Sequence, residues 1–172
     1  EYEVAKQAVA DTKAVGADLY VADAYKVLVD SLQKTEITLN AEKAKWFKTY
    51  KVSKLSLAGV SNLAVEVKGK SEARKAEVIK ENEALIVELA DLVATDNDLL
   101  SHAPKGKDGR EALAAIKADI AVVETSVGEA KALITSNDLL GANAKLKASK
   151  DKAVLVKSEL EEAIAKSKSH KK

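Results

Sequence analysis

The chain has 172 residues, 28 basic and 27 acidic side chains, 47% apolar residues and only 3% aromatic ones. That is the Ala-, Val-, Leu-, Lys- and Glu-rich profile of long helices, and it is too apolar for its small net charge to belong to a disordered chain. One Pro and seven Gly are too few turns for a β-sandwich or barrel, the absence of Cys excludes disulfides and thiolate metal sites, and no apolar run approaches the ~18 residues of a transmembrane helix.

Five helices are expected, over residues 2–15, 18–36, 40–101, 109–135 and 138–167. The first ends at Val15-Gly16-Ala17-Asp18, where Gly16 can stop one helix and Asp18 can cap the next. A weaker polar break near Thr35–Asn40 separates the second helix from the third, with Asn40 as the expected N-cap. The third would be one helix of sixty-odd residues, ~90 Å at 1.5 Å per residue, which outruns a compact core. Gly69 inside it is either a kink or a tolerated glycine. Ser101 to Gly109 holds the only Pro and is the one clear loop. Thr135-Ser136-Asn137-Asp138 is a short break, with Asn137 or Asp138 as N-cap.

The later helices carry the plainest period. Leu113, Ile116, Ile120, Val123, Val127, Ala130 and Ile134 alternate steps of three and four, as do Leu139, Ala142, Leu146, Ser149, Ala153, Val156, Leu160 and Ala163. Ile79, Asn82, Ile86, Leu89 and Val93 do the same before the loop. Such seams pack helix on helix at shallow angles, and their many small residues call for close approach. The expected fold is therefore all-α: an elongated, antiparallel, coiled-coil-like bundle of about five helices around one very long central helix. The expected organisation is a three-helix region over 1–102, a loop over 103–109, a helical hairpin over 110–168 and a basic tail over 169–172. Leu32 with Ala41 and Leu133 with Ala142 span short polar breaks at equal separation, a weak sign of an internal repeat.

The stretch KAKWFKTYK, Lys43 to Lys51, holds the only Trp and the only Phe. On a helix, Trp46, Tyr50, Ser53, Leu57, Val60 and Ala64 share one stripe, which is expected to be core. Phe47 sits 100° round among Lys43, Lys51 and Lys54. Lysine stems can cover it, or the four residues can form an interaction surface; Trp and Phe beside Lys also suit a membrane surface, which the stretch favours over stacking on single-stranded nucleic acid. Ile120, Val123 and Leu146 are the candidates for contact between subunits, if the seams pack from one copy to another.

No catalytic constellation is present. His102 and His170 are assigned to a loop and to the basic tail. There is no HExxH and no phosphate-binding Gly loop, and Asp96-Asn97-Asp98 lacks the Gly and closing Glu of a calcium loop. The expectation is a non-enzymatic protein with no cofactor, no metal and no nucleic-acid partner. The chain starts Glu1-Tyr2-Glu3 and contains no Met, as expected of a mature form after leader removal or of a trimmed fragment.

Val4-Ala5-Lys6-Gln7-Ala8, then Ala14-Val15-Gly16-Ala17-Asp18-Leu19-Tyr20, Ala22-Asp23-Ala24-Tyr25 and Asn40-Ala41-Glu42-Lys43-Ala44 resemble the opening of an Ala-rich helical family of bacterial envelope proteins of unknown function, many of them lipoproteins. The resemblance covers about residues 3–64, and Ala103 to Lys168 is similar to the C-terminal half of longer members. Val21-Ala22 stands where members often have a Pro after the Tyr. The resemblance implies a periplasmic or cell-surface location, and membrane association only through an N-terminal lipid that this chain does not contain. The expected function is that of a structural or scaffold protein acting through helix–helix contacts, self-assembling or bound to another envelope protein. The alternative is an amphipathic-helix protein that coats a lipid or polymer surface.

Overall fold

Helix is dictated almost everywhere by the Ala/Leu/Lys/Glu composition, and the computed structural model contains six α-helices and no strand among the described residues, 1–47, 49–104 and 110–169. They are α1 (Tyr2–Ala14), α2 (Ala17–Tyr20), α3 (Ala22–Ala44), α4 (Lys51–His102), α5 (Arg110–Thr135) and α6 (Leu139–Ser169). Two units divide the chain at Glu77/Val78, inside α4. The all-α class and the very long helix match expectation. The boundary differs from the one expected at residue 102, because the C-terminal half of α4 packs with α5 and α6 and completes their core. The expected loop over 103–109 is described only as far as Pro104, and the tail over 169–172 only at Ser169. His170 lies outside the described residues.

In the first unit α1, α3 and the start of α4 enclose Ala5, Val9, Ala17, Leu28, Leu57, Val60, Ala64 and Val67. α1 stops at Gly16, which takes φ 81° and where an added Cβ would crowd the Tyr20 ring at 3.1 Å. Asp18 does not cap a helix: it lies in the first turn of the one-turn α2, and Val21, at φ −142° and ψ 51°, separates α2 from α3. Small residues let the helices touch through their backbones. The buried Thr12 hydroxyl donates to Ala8 O at 2.7 Å and lies 3.3 Å from Ala64 O across the interface. Ser71 Oγ donates to Val15 O at 3.1 Å, satisfying a carbonyl that the end of α1 would leave unpaired.

In the second unit the predicted seams close on one another. Leu89, Val123, Ala130, Ala142, Leu146 and Ala153 form one buried cluster, and Ala103, Ile116, Ile120, Val156 and Leu160 another. Val78 takes the buried position expected of Ile79, which is exposed. At one end, Asn143 Nδ2 donates to Asn82 Oδ1 at 2.8 Å and Asn82 Nδ2 donates to Leu139 O at 3.0 Å. A buried amide pair of this kind admits only one register between α4 and α6.

The turn between α5 and α6 resolves which residue caps what. Asn137 adopts φ 65°, its N–H bonds Ile134 O at 3.0 Å, and Asp138 N–H bonds Leu133 O at 2.9 Å, so Asn137 closes α5 in a Schellman motif. Asp138 Oδ1 then accepts from Gly141 N–H at 3.0 Å and caps α6. A Cβ on Gly141 would collide with that carboxylate. Asp138→Ala is expected to lower stability by about 1 kcal/mol in urea denaturation.

The buried positions of α4 run Ser53, Leu57, Val60, Ala64, Val67, Ser71 in alternating steps of four and three. Half-buried Arg74 and buried Val78 and Asn82 follow in two successive steps of four, and Leu89, Asp96 and Ala103 continue at sevens. The doubled step shifts the buried stripe around the helix. It falls where the first unit gives way to the second. Gly69 lies within the continuous helix and meets nothing within 4 Å of an added Cβ.

Candidate functional site

The sequence places its only two large non-hydroxylated aromatics, Trp46 and Phe47, between helices, and the fold explains why. Buried positions of α3 recur at sevens: Leu28, Thr35 and Glu42. α3 runs through Thr35 and Thr38, whose hydroxyls donate back to Ser31 O and Lys34 O, so the polar break expected at Thr35–Asn40 is not a break, and Asn40 lies inside α3 rather than capping α4.

The seam delivers the Glu42 carboxylate to the first turn of α4. There it accepts from Ser53 N–H at 3.3 Å and from the Ser53 hydroxyl. Glu42 thus serves as an N-cap from another helix, set against the positive end of the α4 dipole. The Ser53 hydroxyl bond holds its carboxyl below the usual range, helped by the Ser53 and Val52 N–H groups and the Lys45 charge, although burial opposes this.

The connection is therefore held at both ends. Lys45, in extended backbone, bonds Glu42 O at 3.3 Å, and Tyr50 enters α4 at φ 47°. Trp46 is 93% exposed and Phe47 81%. The expected core stripe through Trp46 and Tyr50 is thereby corrected. These residues precede α4, helical spacing does not apply to them, and Leu57, Val60 and Ala64 fill the core without them. Tyr50 is half-buried.

Of the predicted surface residues, Phe47, Lys43, Lys51 and Lys54 all lie exposed on this connection and the helix ends beside it. Lys54 Nζ lies 3.9 Å from Glu1 Oε1. Lys45, Val52 and Leu55 are also exposed there and were not foreseen. The signal for them was available: residues 43–55 contain five lysines and no acidic side chain. Ile120, Val123 and Leu146 belong elsewhere. All three are buried within the second unit, where α4, α5 and α6 cover them, and they are core rather than surface.

The grooves of the molecule are open and shallow. One, of about 250 Å³, is lined by Glu1, Val4, Lys54, Leu57, Ala58 and Ser61. Among the described residues no group of three or more His, Asp or Glu side chains could hold a metal ion, and no helix is long and apolar enough to cross a membrane. His102 closes α4 rather than lying in a loop, with Nδ1 2.8 Å from Asp98 O. The buried group that spacing did not single out is Asp96, whose Oδ1 has no hydrogen-bond partner. Compared with protein-family models, with curated proteins and with solved structures, the chain matches none.

Proposed function

We propose that this chain is a non-enzymatic helical scaffold of the extracytoplasmic space that acts through helix–helix contact, joining copies of itself. The observation that supports this best is the outer face of α4 in the first unit. Leu55, Ala58, Asn62 and Val65 are all exposed at spacings of three, four and three, opposite the buried Leu57, Val60, Ala64 and Val67. This stretch of α4 thus carries two seams, of which one is covered among the described residues of the first unit. The exposed seam is narrow, and its Leu55, Ala58 and Val65 are apolar at the spacing that a second helix would meet. The extracytoplasmic setting is supported by the resemblance of residues 3–64 to Ala-rich envelope proteins.

The test is light scattering across a concentration series, on the chain and on the double variant Leu55→Lys, Val65→Lys. The expected result is a mass that rises with concentration for the chain and stays monomeric for the variant, with helicity unchanged in both. A concentration-independent monomer would overturn self-assembly. Both substitutions are at exposed positions, so loss of assembly would not reflect loss of fold.

A further inference from the structure

We propose that the connection between α3 and α4 is a docking tip for the surface of an anionic lipid bilayer, with Trp46 and Phe47 entering the headgroup layer and Lys43, Lys45, Lys51 and Lys54 meeting acidic headgroups. This inference is independent of self-assembly, because it rests on the connection and not on the outer seam of α4.

Three observations carry it. The first is placement. The chain has one Trp and one Phe, its cores are filled with Ala, Val and Leu, and yet both rings stand in solvent. Single exposed apolar residues are ordinary, but here the Trp and the Phe are adjacent in the chain and both stand exposed. The second is charge. Basic and acidic residues nearly cancel over the whole chain, whereas residues 43–55 hold five lysines and no acid. Two carboxylates stand beside this stretch: Glu42 is turned inward onto Ser53 and the first turn of α4, and Glu1 Oε1 lies 3.9 Å from Lys54 Nζ. Set against the five lysines of residues 43–55, these two carboxylates leave the tip net positive. The third is mounting. The Glu42–Ser53 cap joins the end of α3 to the start of α4 and presents the residues between them without requiring helices to open.

An anionic bilayer fits these features best. Trp favours the membrane–water interface, where its ring is partly apolar and its N–H stays wet, and lysines beside it gain from acidic lipids. No described helix is long and apolar enough to cross a membrane, so the contact is peripheral. It differs from a coating formed by amphipathic helices that unfold outward, and it needs no N-terminal lipid.

The sole Trp makes the test direct. The full chain is titrated with phosphatidylcholine vesicles, with and without phosphatidylglycerol, while Trp46 emission is followed and bound protein is measured by co-sedimentation. The expected result is a blue shift with the phosphatidylglycerol vesicles, quenching by lipids brominated on the acyl chains, and reversal by salt. Phe47→Ser should weaken partitioning by about tenfold or more. The pair Lys43→Glu, Lys51→Glu should abolish the preference for phosphatidylglycerol. These side chains are exposed, and circular dichroism verifies that each variant folds.

Absence of both the shift and co-sedimentation overturns the proposal. So does equal binding to neutral vesicles that the lysine variants leave unchanged. A blue shift that grows with protein concentration in lipid-free buffer, without vesicle binding, assigns the tip to a second copy and overturns it as well. Failure here leaves the light-scattering result on Leu55 and Val65 untouched, so the two readings fail separately.

Discussion

Asp96→Asn is expected to stabilise the second unit by on the order of 1–2 kcal/mol near pH 8 and to change it little near pH 4. Asp96 is 1% exposed on α4, between Val93 and the Leu99–Leu100 pair, which pack against Ile116, Ile120, Val156 and Leu160. Its Oδ1 has no partner. Burial raises its carboxyl to about 6. The Lys157 charge opposes that rise and the Glu161 charge adds to it. Lys157 cannot fully answer Asp96, since its Nζ lies 3.9 Å from Glu161 Oε1. From α5 the same cluster receives Leu113, Ile116 and Ile120.

The sign follows from linkage. The folded carboxyl holds its proton to a higher pH than the unfolded one, whose ordinary value is 3.8. Above about pH 6 the group is ionised in both states and the folded state bears the full desolvation cost. That cost falls as the pH drops through 6 and is gone below about 4. Wild-type stability from this group therefore increases on acidification, whereas the asparagine variant lacks that slope. Urea melts at both pH values, followed by circular dichroism, read the difference. An asparagine variant less stable than wild type near pH 8 would mean that the ionised carboxylate has a stabilising partner.

Leu146→Ala is expected to cost about 3–4 kcal/mol in the same melts while leaving the mass in solution unchanged. Leu146 is fully buried, and its cluster includes Ala130, Ala142 and Ala153. Alanine methyls are too short to lean into the space left by a lost isobutyl group, so the cavity remains open and the cost lies well inside the range for leucine truncations. The exposed Leu55 supplies the contrast, since Leu55→Ala should change stability by less than about 0.5 kcal/mol. A Leu146 variant that lost assembly but kept its stability would place that seam between subunits instead of inside one.

Several elements were legible from residues alone because their determinants are local. The three-four spacing from Leu113 to Ala163 identified the faces that meet in the second unit, and nearly every seam position is buried or half-buried there. Gly16 and the Asn137-Asp138 pair marked real helix ends, because left-handed backbone and side-chain capping depend on a few neighbouring residues. The candidate surface at Phe47, Lys43, Lys51 and Lys54 was visible as composition.

What failed depended on residues far apart. Thr35, Thr38 and Asn40 have the composition of a break, yet α3 runs through them. It ends where Glu42 can reach Ser53, eleven positions on. Because that end was misplaced, helical spacing assigned Trp46 to the core, whereas the connection leaves it in solvent. Asp96 stood out only as part of Asp96-Asn97-Asp98, which lacks the pattern of a calcium loop, and its place on the α4 seam is what buries it.

The sequence by itself determined that this protein is helical, which faces of its last helices are apolar, and where short-range caps stop the chain. Periodicity, composition and capping act within a turn or two of helix and can be read without knowing what lies across from them. Only the tertiary structure decided that α4 serves two cores, that Glu42 caps it from α3, that Ile120, Val123 and Leu146 are interior, and that Trp46 and Phe47 are not. Burial depends on which helix covers a residue, and that is settled by contacts between segments distant in the chain.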